Sequence, residues 1–265
     1  TYPQGSDPMD AALASILATT SGAWGFAWCA LGVFAGYALR GATGFGAGLV
    51  VIPMLAFVMP FEVVIPVLSA MGIFASSGQA WHQRRHIDAT SRKALVALLG
   101  WALLGVALGL ALFALLASRL LLNLFGVFLT AYALWSLRPH APPRAQPRRA
   151  VVAASGISGA LVATLFGGMA GPFFAVYLDA LQLGRARFRA TMSTVLFLLS
   201  IVRVAGYGGL GLYDARVGAL LVVMMPVMVV GMVIGERVHQ RLSDARFQKV
   251  VAVLLVASGI ALALK

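Results

Sequence analysis

The chain has 265 residues, 61% of them hydrophobic and only 11% charged, with 20 Lys and Arg against 8 Asp and Glu. Mean hydropathy is +0.93 and the formal charge is +12. A soluble domain is roughly a quarter charged, so the figures exclude a globular enzyme in a charged shell and, with so much Leu, Val and Ala, exclude disorder; they leave an all-α polytopic membrane protein.

Taken in chain order, residues 1–8, ahead of Met9, show no signal-peptide pattern with a basic start and read as an appended tag outside the fold. Uncharged stretches follow at 11–39 and 41–61, of 29 and 21 residues, and at 63–81, 94–118 and 120–137, of 19, 25 and 18. After a Pro-rich basic stretch at 138–149 come 150–178 and 217–235, of 29 and 19 residues. A spanning helix needs about 17–25 apolar residues, so most of these are predicted spans. Two are less clean. The stretch 190–213 carries Arg203 near its middle, and 250–264 needs the preceding 244–249 to reach full length. Cys29 is the single cysteine, so it closes no intramolecular disulfide and is silent on redox compartment.

The chain repeats itself. His86-Ile87-Asp88-Ala89 recurs as Leu212-Tyr213-Asp214-Ala215, and Gly105-x-x-x-Gly109 recurs as Gly231-x-x-x-Gly235, both at an offset of 126. The break at Ser118-Arg119 recurs at Ser243-Asp244 with offset 125, and the glycine cluster Gly44–Gly48 recurs at 166–171 with offset about 123. The predicted organisation is therefore a first membrane repeat over 9–137, a solvated linker over 138–149, and a second repeat over 150–265.

Charge orients the repeats. Basic residues concentrate at 82–93, 138–149, 185–189 and 237–249, which the positive-inside rule places in the cytoplasm. Residues 150–183 then begin and end on that side in about 33 residues, where two full spans need about 40. The prediction is a re-entrant hairpin of short or broken helices turning at 166–172, matched by one from outside that turns at 40–48. Each half becomes a hairpin plus three spans, so the second half is inverted and the count reaches about ten helices. Eight ordinary spans with parallel halves is the alternative.

Inverted halves with paired glycine-rich breaks are a secondary-transporter signature. Broken backbone at that depth must line a cavity or be packed in protein, and helices that start there present N–H groups suited to an anion. The plainer alternative is that these glycines serve close helix packing. Arg203 inside a span and Arg40 at the first hairpin turn are the leading anion ligands. A guanidinium at the bilayer centre costs ~2.5–3.5 kcal/mol on insertion scales, and its planar fork fits two oxygens of sulfite, sulfonate or carboxylate at once. The structural alternative pairs Arg203 with a backbone carbonyl or with Asp179. Thr43, Ser158, Thr164, Ser193, Ser77 and Gln79 are candidate neutral donors, although Ser and Thr commonly join helices. Trp81 and Tyr207 stand 126 residues apart and read as interfacial anchors rather than cavity walls.

The run Leu39-Arg40-Gly41-Ala42-Thr43-Gly44-Phe45-Gly46-Ala47-Gly48 with Val51-Ile52-Pro53, and Gly156-x-x-Gly159 leading to Phe166-Gly167-Gly168-Met169-Ala170-Gly171-Pro172, resembles the sulfite exporter TauE/SafE family. The similarity covers nearly the whole chain and departs at Met169-Ala170, where the family often has a third glycine and an aliphatic residue. The resemblance implies a permease of the bacterial inner membrane that moves sulfite, organosulfonates or related small anions. The expected substrate-binding set is Arg40, Thr43, Gly44, Phe45, Gly46, Gly48, Phe166, Gly167, Gly168, Gly171, Ser193 and Arg203. Expected partners are a small anion, membrane lipid and, by analogy with secondary transporters, a coupling proton.

Other chemistry fits less well. Gly44-x-Gly46-x-Gly48 mimics a dinucleotide fingerprint but interrupts a membrane segment instead of following a strand. His82 and His86 have metal-ligand spacing, yet sit in a basic loop with only Asp88 nearby, so no metal or cofactor is expected. Asp88, Asp214 and Asp244 precede spans and read as helix N-caps, and no nucleophile elbow is present. The +12 charge favours anionic lipid over nucleic acid. A membrane-embedded scaffold and a passive anion channel remain the alternative functions.

Overall fold

A computed structural model describes residues 22–136 and 149–239, together with Ala18 and Thr20. Among the described residues every regular element is helical: α1 Ala23–Thr43, α2 Ala47–Ala56, α3 Phe61–Gln83, α4 Ala89–Leu115, α5 Ser118–Ser136, α6 Arg149–Leu165, α7 Gly171–Ala180, α8 Arg185–Gly209 and α9 Ala215–His239, with a single 3-10 turn at Arg84–His86. Four are long and apolar enough to cross a membrane: Phe61–His86, Ala89–Leu115, Arg185–Gly209 and Ala215–Arg237. Residues 1–8, expected to be an appended tag, the linker up to its last residue, Asp244 and the stretch 250–264 lie outside the described residues.

Local chemistry sets the boundaries. Asp88 accepts the Ser91 N–H at 2.8 Å and caps α4, and Asp214 accepts the Val217 N–H at 2.9 Å at the start of α9. The two aspartates occupy equivalent repeat positions, and both do what an N-cap does, satisfying donors that the first helical turn leaves unpaired. Helix α1 stops where Gly44 turns left-handed at φ +87°, returning its N–H to the Arg40 carbonyl. Gly46, at φ +91°, then launches α2. Side chains with a Cβ rarely adopt that backbone.

The hairpin arms are unequal, which differs from a pair of short helices. The first has arms of 21 and 10 residues and the second of 17 and 10. Ten residues rise only about 15 Å, half of a hydrocarbon core of about 30 Å. The shorter arm of each pair is thus too short to cross a membrane by itself.

Helices α3 and α8 lie at the centre, with at least half of their apolar windows buried, whereas α4 and α9 are mostly exposed. They run antiparallel. Tyr213, just past α8, donates to the Pro66 carbonyl near the start of α3 at 3.2 Å, Ser200 faces Gly72, and Ser193 shares a cleft with Gln79. The most extensive contacts pair α4 with α6 and α9 with α1. Both pairs are parallel. Gly105 abuts Ile157 and Ala160 while Gly109 abuts Leu161 and Thr164; likewise Gly231 abuts Phe34 and Ala38 while Gly41 abuts Met232 and Glu236. A Cβ at Gly105, Gly231 or Gly235 would run into the facing backbone, so both Gly-x-x-x-Gly motifs are close-packing devices. Leu103, Leu104 and Leu108 of α4, and Val222, Val229 and Val230 of α9, point outward as a lipid-facing surface does.

Candidate functional site

The two breaks meet. Gly48, in the first turn of α2, lies against Met169 and the Gly167 carbonyl, and the Phe45 ring covers Gly171 so closely that a Cβ there would enter it. Gly167 and Gly168 turn left-handed at φ +60° and +98°. The glycines thus fall into two groups, with Gly44, Gly46, Gly167 and Gly168 bending the backbone while Gly48 and Gly171 let the hairpins touch. Gly41 belongs to neither group and serves α9 packing, in line with the plainer alternative.

Arg203 reaches this crossing because α8 passes behind the second break. It sits in the C-terminal third of α8, not at the middle of its span, and is 2% exposed. Its guanidinium would be 3.7 Å from a Cβ on Gly168. Nη1 donates to the Ala163 carbonyl at 2.8 Å and Nη2 to Ser200 Oγ at 2.9 Å. The same Ala163 carbonyl accepts the Gly168 N–H at 2.7 Å. Asp179 is not its partner. Arg40, in the last turn of α1 and 6% exposed, donates through Nη2 to Ser76 Oγ on α3. In each half, then, one arginine ties the hairpin's long arm to the following span, from opposite ends of the tie.

Neither arginine pairs with a carboxylate among the described residues, and each has a buried Nε–H without a hydrogen-bond partner. Ser200, which accepts from Arg203, faces Gly72, one turn of α3 before Ser76, which accepts from Arg40. Buried cations ordinarily have a counter-charge. Among the described residues this pair has none.

The remaining expected residues scatter. Phe166 packs in an aromatic cluster, with ring centroids 5.3 Å from Phe125 and 5.6 Å from Phe128, so it walls the second turn rather than offering a polar ligand. Ser193 lies away from Arg203, in a cleft with Gly44, and donates to its own helix at the Ala190 carbonyl, 3.1 Å away. Thr43 ends α1, but its side chain is outside the described residues. Thr164 and Ser158 likewise donate to carbonyls of their own helix. Tyr207 corrects an expectation: it is no interfacial anchor but fully buried, donating to the Thr164 carbonyl and edge-on to Phe113. Trp81 is 69% exposed under the Arg84 guanidinium, as an anchor would be. Sequence reasoning missed Ser76 and Ser200 as the arginines' partners. They stand 124 residues apart, near the repeat offset, and that was the available signal.

Apolar outer faces, four long spans and two broken hairpins crossing at uncompensated arginines define a multi-pass membrane protein organised around a polar centre. The family "Sulfite exporter TauE/SafE" matches residues 28–262. The chain belongs to that family: it is a membrane transporter, not an enzyme. A relative from Comamonas testosteroni, "Probable inner membrane transporter protein TsaS", is 30% identical over 173 residues, covering 64% of this chain and 71% of that protein. No solved structure matches the chain.

Proposed function

We propose that this transporter carries small oxyanions of the sulfite and organosulfonate class across the inner membrane by alternating access around the crossed hairpins. The observation that carries the reading is the pair of buried guanidiniums, Arg40 and Arg203, each without a carboxylate partner among the described residues. A small oxyanion supplies the missing charge, and two of its oxygens take two N–H groups of one fork. Backbone at Gly44–Gly48 and Gly167–Gly171 lies within the same crossing, with helices α2 and α7 starting there. In this proposal Arg40 and Arg203 hold the anion and the two glycine breaks shape its seat.

The chain is two inverted repeats, 9–137 and 150–265, with basic loops in the cytoplasm. Support comes from the antiparallel course of the equivalent helices α3 and α8, and from the exchange of α4–α6 for α9–α1 under the repeat offset. A thermal-shift panel of sulfite, ethanesulfonate, acetate and chloride on the purified protein tests the cargo. Sulfite and ethanesulfonate are expected to stabilise the fold, by about 2.7 kcal/mol at one hundred times Kd; stabilisation by chloride or acetate alone sinks the assignment. Saturable, gradient-driven accumulation in proteoliposomes is expected, and linear, unsaturable flux would make it a channel.

A further inference from the structure

A second polar cluster lies one helical turn beyond Arg40, at the end of the bundle where the basic segments gather. Gln79 and Gln83 on α3 and Arg189 and Ser193 on α8 line a narrow cleft against Gly44, too tight to admit water. Arg189 Nε, Gln79 Oε1 and Gln83 Oε1 are all buried there without a hydrogen-bond partner. Arg189 Nε would be 3.9 Å from a Cβ on Gly44, so the guanidinium faces the first break directly. Its neighbour Arg187 is already engaged, donating to Asp88 at 2.8 Å, while Arg189 has no ion pair among the described residues.

The three side chains are only partly buried, but these atoms are enclosed, and enclosed donors and acceptors left unpaired are costly. A ligand that pairs with them in another conformation would offset that cost. Each glutamine offers an NH2 as well as a carbonyl oxygen, exchanged by a half-turn of the terminal amide. With Arg189 they form a convergent donor set for an oxyanion. Phe188 and Met192 complete the wall and give an apolar seat for a short organic tail.

We propose that Arg189, Gln79 and Gln83 form a second oxyanion station at the basic-end mouth of the first hairpin break, shut in this conformation and occupied as the anion passes to or from Arg40. The inference rests on the anion-transport reading and adds a site to it. It also explains why Ser193 lies far from Arg203: the serine belongs to the mouth and not to the crossing.

The test is sided transport of ethanesulfonate and sulfite in right-side-out and inside-out vesicles holding the full chain. Arg189→Gln is expected to raise KM at least fivefold for anion offered at the basic end, with KM from the opposite end within twofold of wild type. Arg189→Lys should recover part of the loss, because a point charge engages one oxygen where the fork engages two. Equal KM changes on both sides, or none on either, would overturn the station. If Arg189→Gln does not fold, Gln83→Leu reads the same asymmetry and the same symmetric result would overturn it. Arg203→Met separates the two claims. Transport impaired in Arg203→Met but normal in Arg189→Gln removes the station and leaves the cargo; wild-type protein that moves neither anion removes both.

Discussion

Arg203 makes two protein hydrogen bonds, yet removing it orphans neither acceptor. The Ala163 carbonyl keeps the Gly168 N–H, and the Ser200 hydroxyl donates to the Leu196 carbonyl at 2.7 Å. Arg203→Met, which fills much of the same volume, should therefore give folded protein whose sulfite affinity is at least tenfold lower. A charge-assisted hydrogen bond is worth ~1.5–3 kcal/mol, and tenfold is about 1.4 kcal/mol. Titration calorimetry checks this, and wild-type affinity in a folded variant takes Arg203 out of the site. Asp88 offers a pH test at the same scale. The Ser91 N–H, foremost, and the Arg187 guanidinium hold its carboxyl down to about 2. A depressed folded pKa means that the ionised form's contribution is complete above the unfolded value of roughly 3.9 and is lost as pH falls toward about 2. Melting temperatures of wild type and Asp88→Asn should differ at pH 6 and converge only as pH falls to about 2; a constant gap would show that charge is not what the cap uses.

At the scale of elements, glycine serves different ends at positions that look alike. Gly235 lies against the Ala38 backbone, whereas Gly100, on α4, has open space where a Cβ would go. Gly235→Ala should lower the melting temperature through overpacking, worth about 1–3 kcal/mol. Gly100→Ala should hold or raise it, since Gly costs roughly 0.5–1 kcal/mol in a helix interior. Equal melting temperatures would mean that the α9–α1 contact adapts. Much of this architecture was legible in the sequence: the constant offset exposed Gly105 with Gly231 and Asp88 with Asp214, and the glycine clusters marked both breaks. What was illegible depended on which face meets which neighbour. Tyr207 has an aromatic ring and a hydroxyl, suited equally to a membrane interface and to a buried carbonyl, and only the course of α8 past Thr164 decides between them. Ser76 and Ser200 carry no local mark that separates them from other helix serines, and only the reach of Arg40 and Arg203 singles them out. The unequal hairpin arms escaped because an uncharged stretch has a length but no internal mark of how far one arm continues.

For the whole molecule, the inverted reading fixes sidedness. Single cysteines introduced as Gly5→Cys, Arg144→Cys and Lys265→Cys should label from outside, inside and outside respectively in right-side-out vesicles, with the native Cys29 buried. A cytoplasmic label at position 265 would break the scheme. The parallel pairing of α4 with α6 and α9 with α1 reaches further, into synthesis. The two most extensive seams, α4–α6 and α9–α1, both join the first half to the second, so when α1 and α4 leave the ribosome these partners do not yet exist. Lipid supplies no hydrophobic drive to hold such helices together in the meantime. The early half must wait in the bilayer with its grooves unfilled until α6 and then α9 are threaded in. An intermediate holding only the first half therefore exposes these glycine grooves for at least as long as α6 and α9 take to be translated.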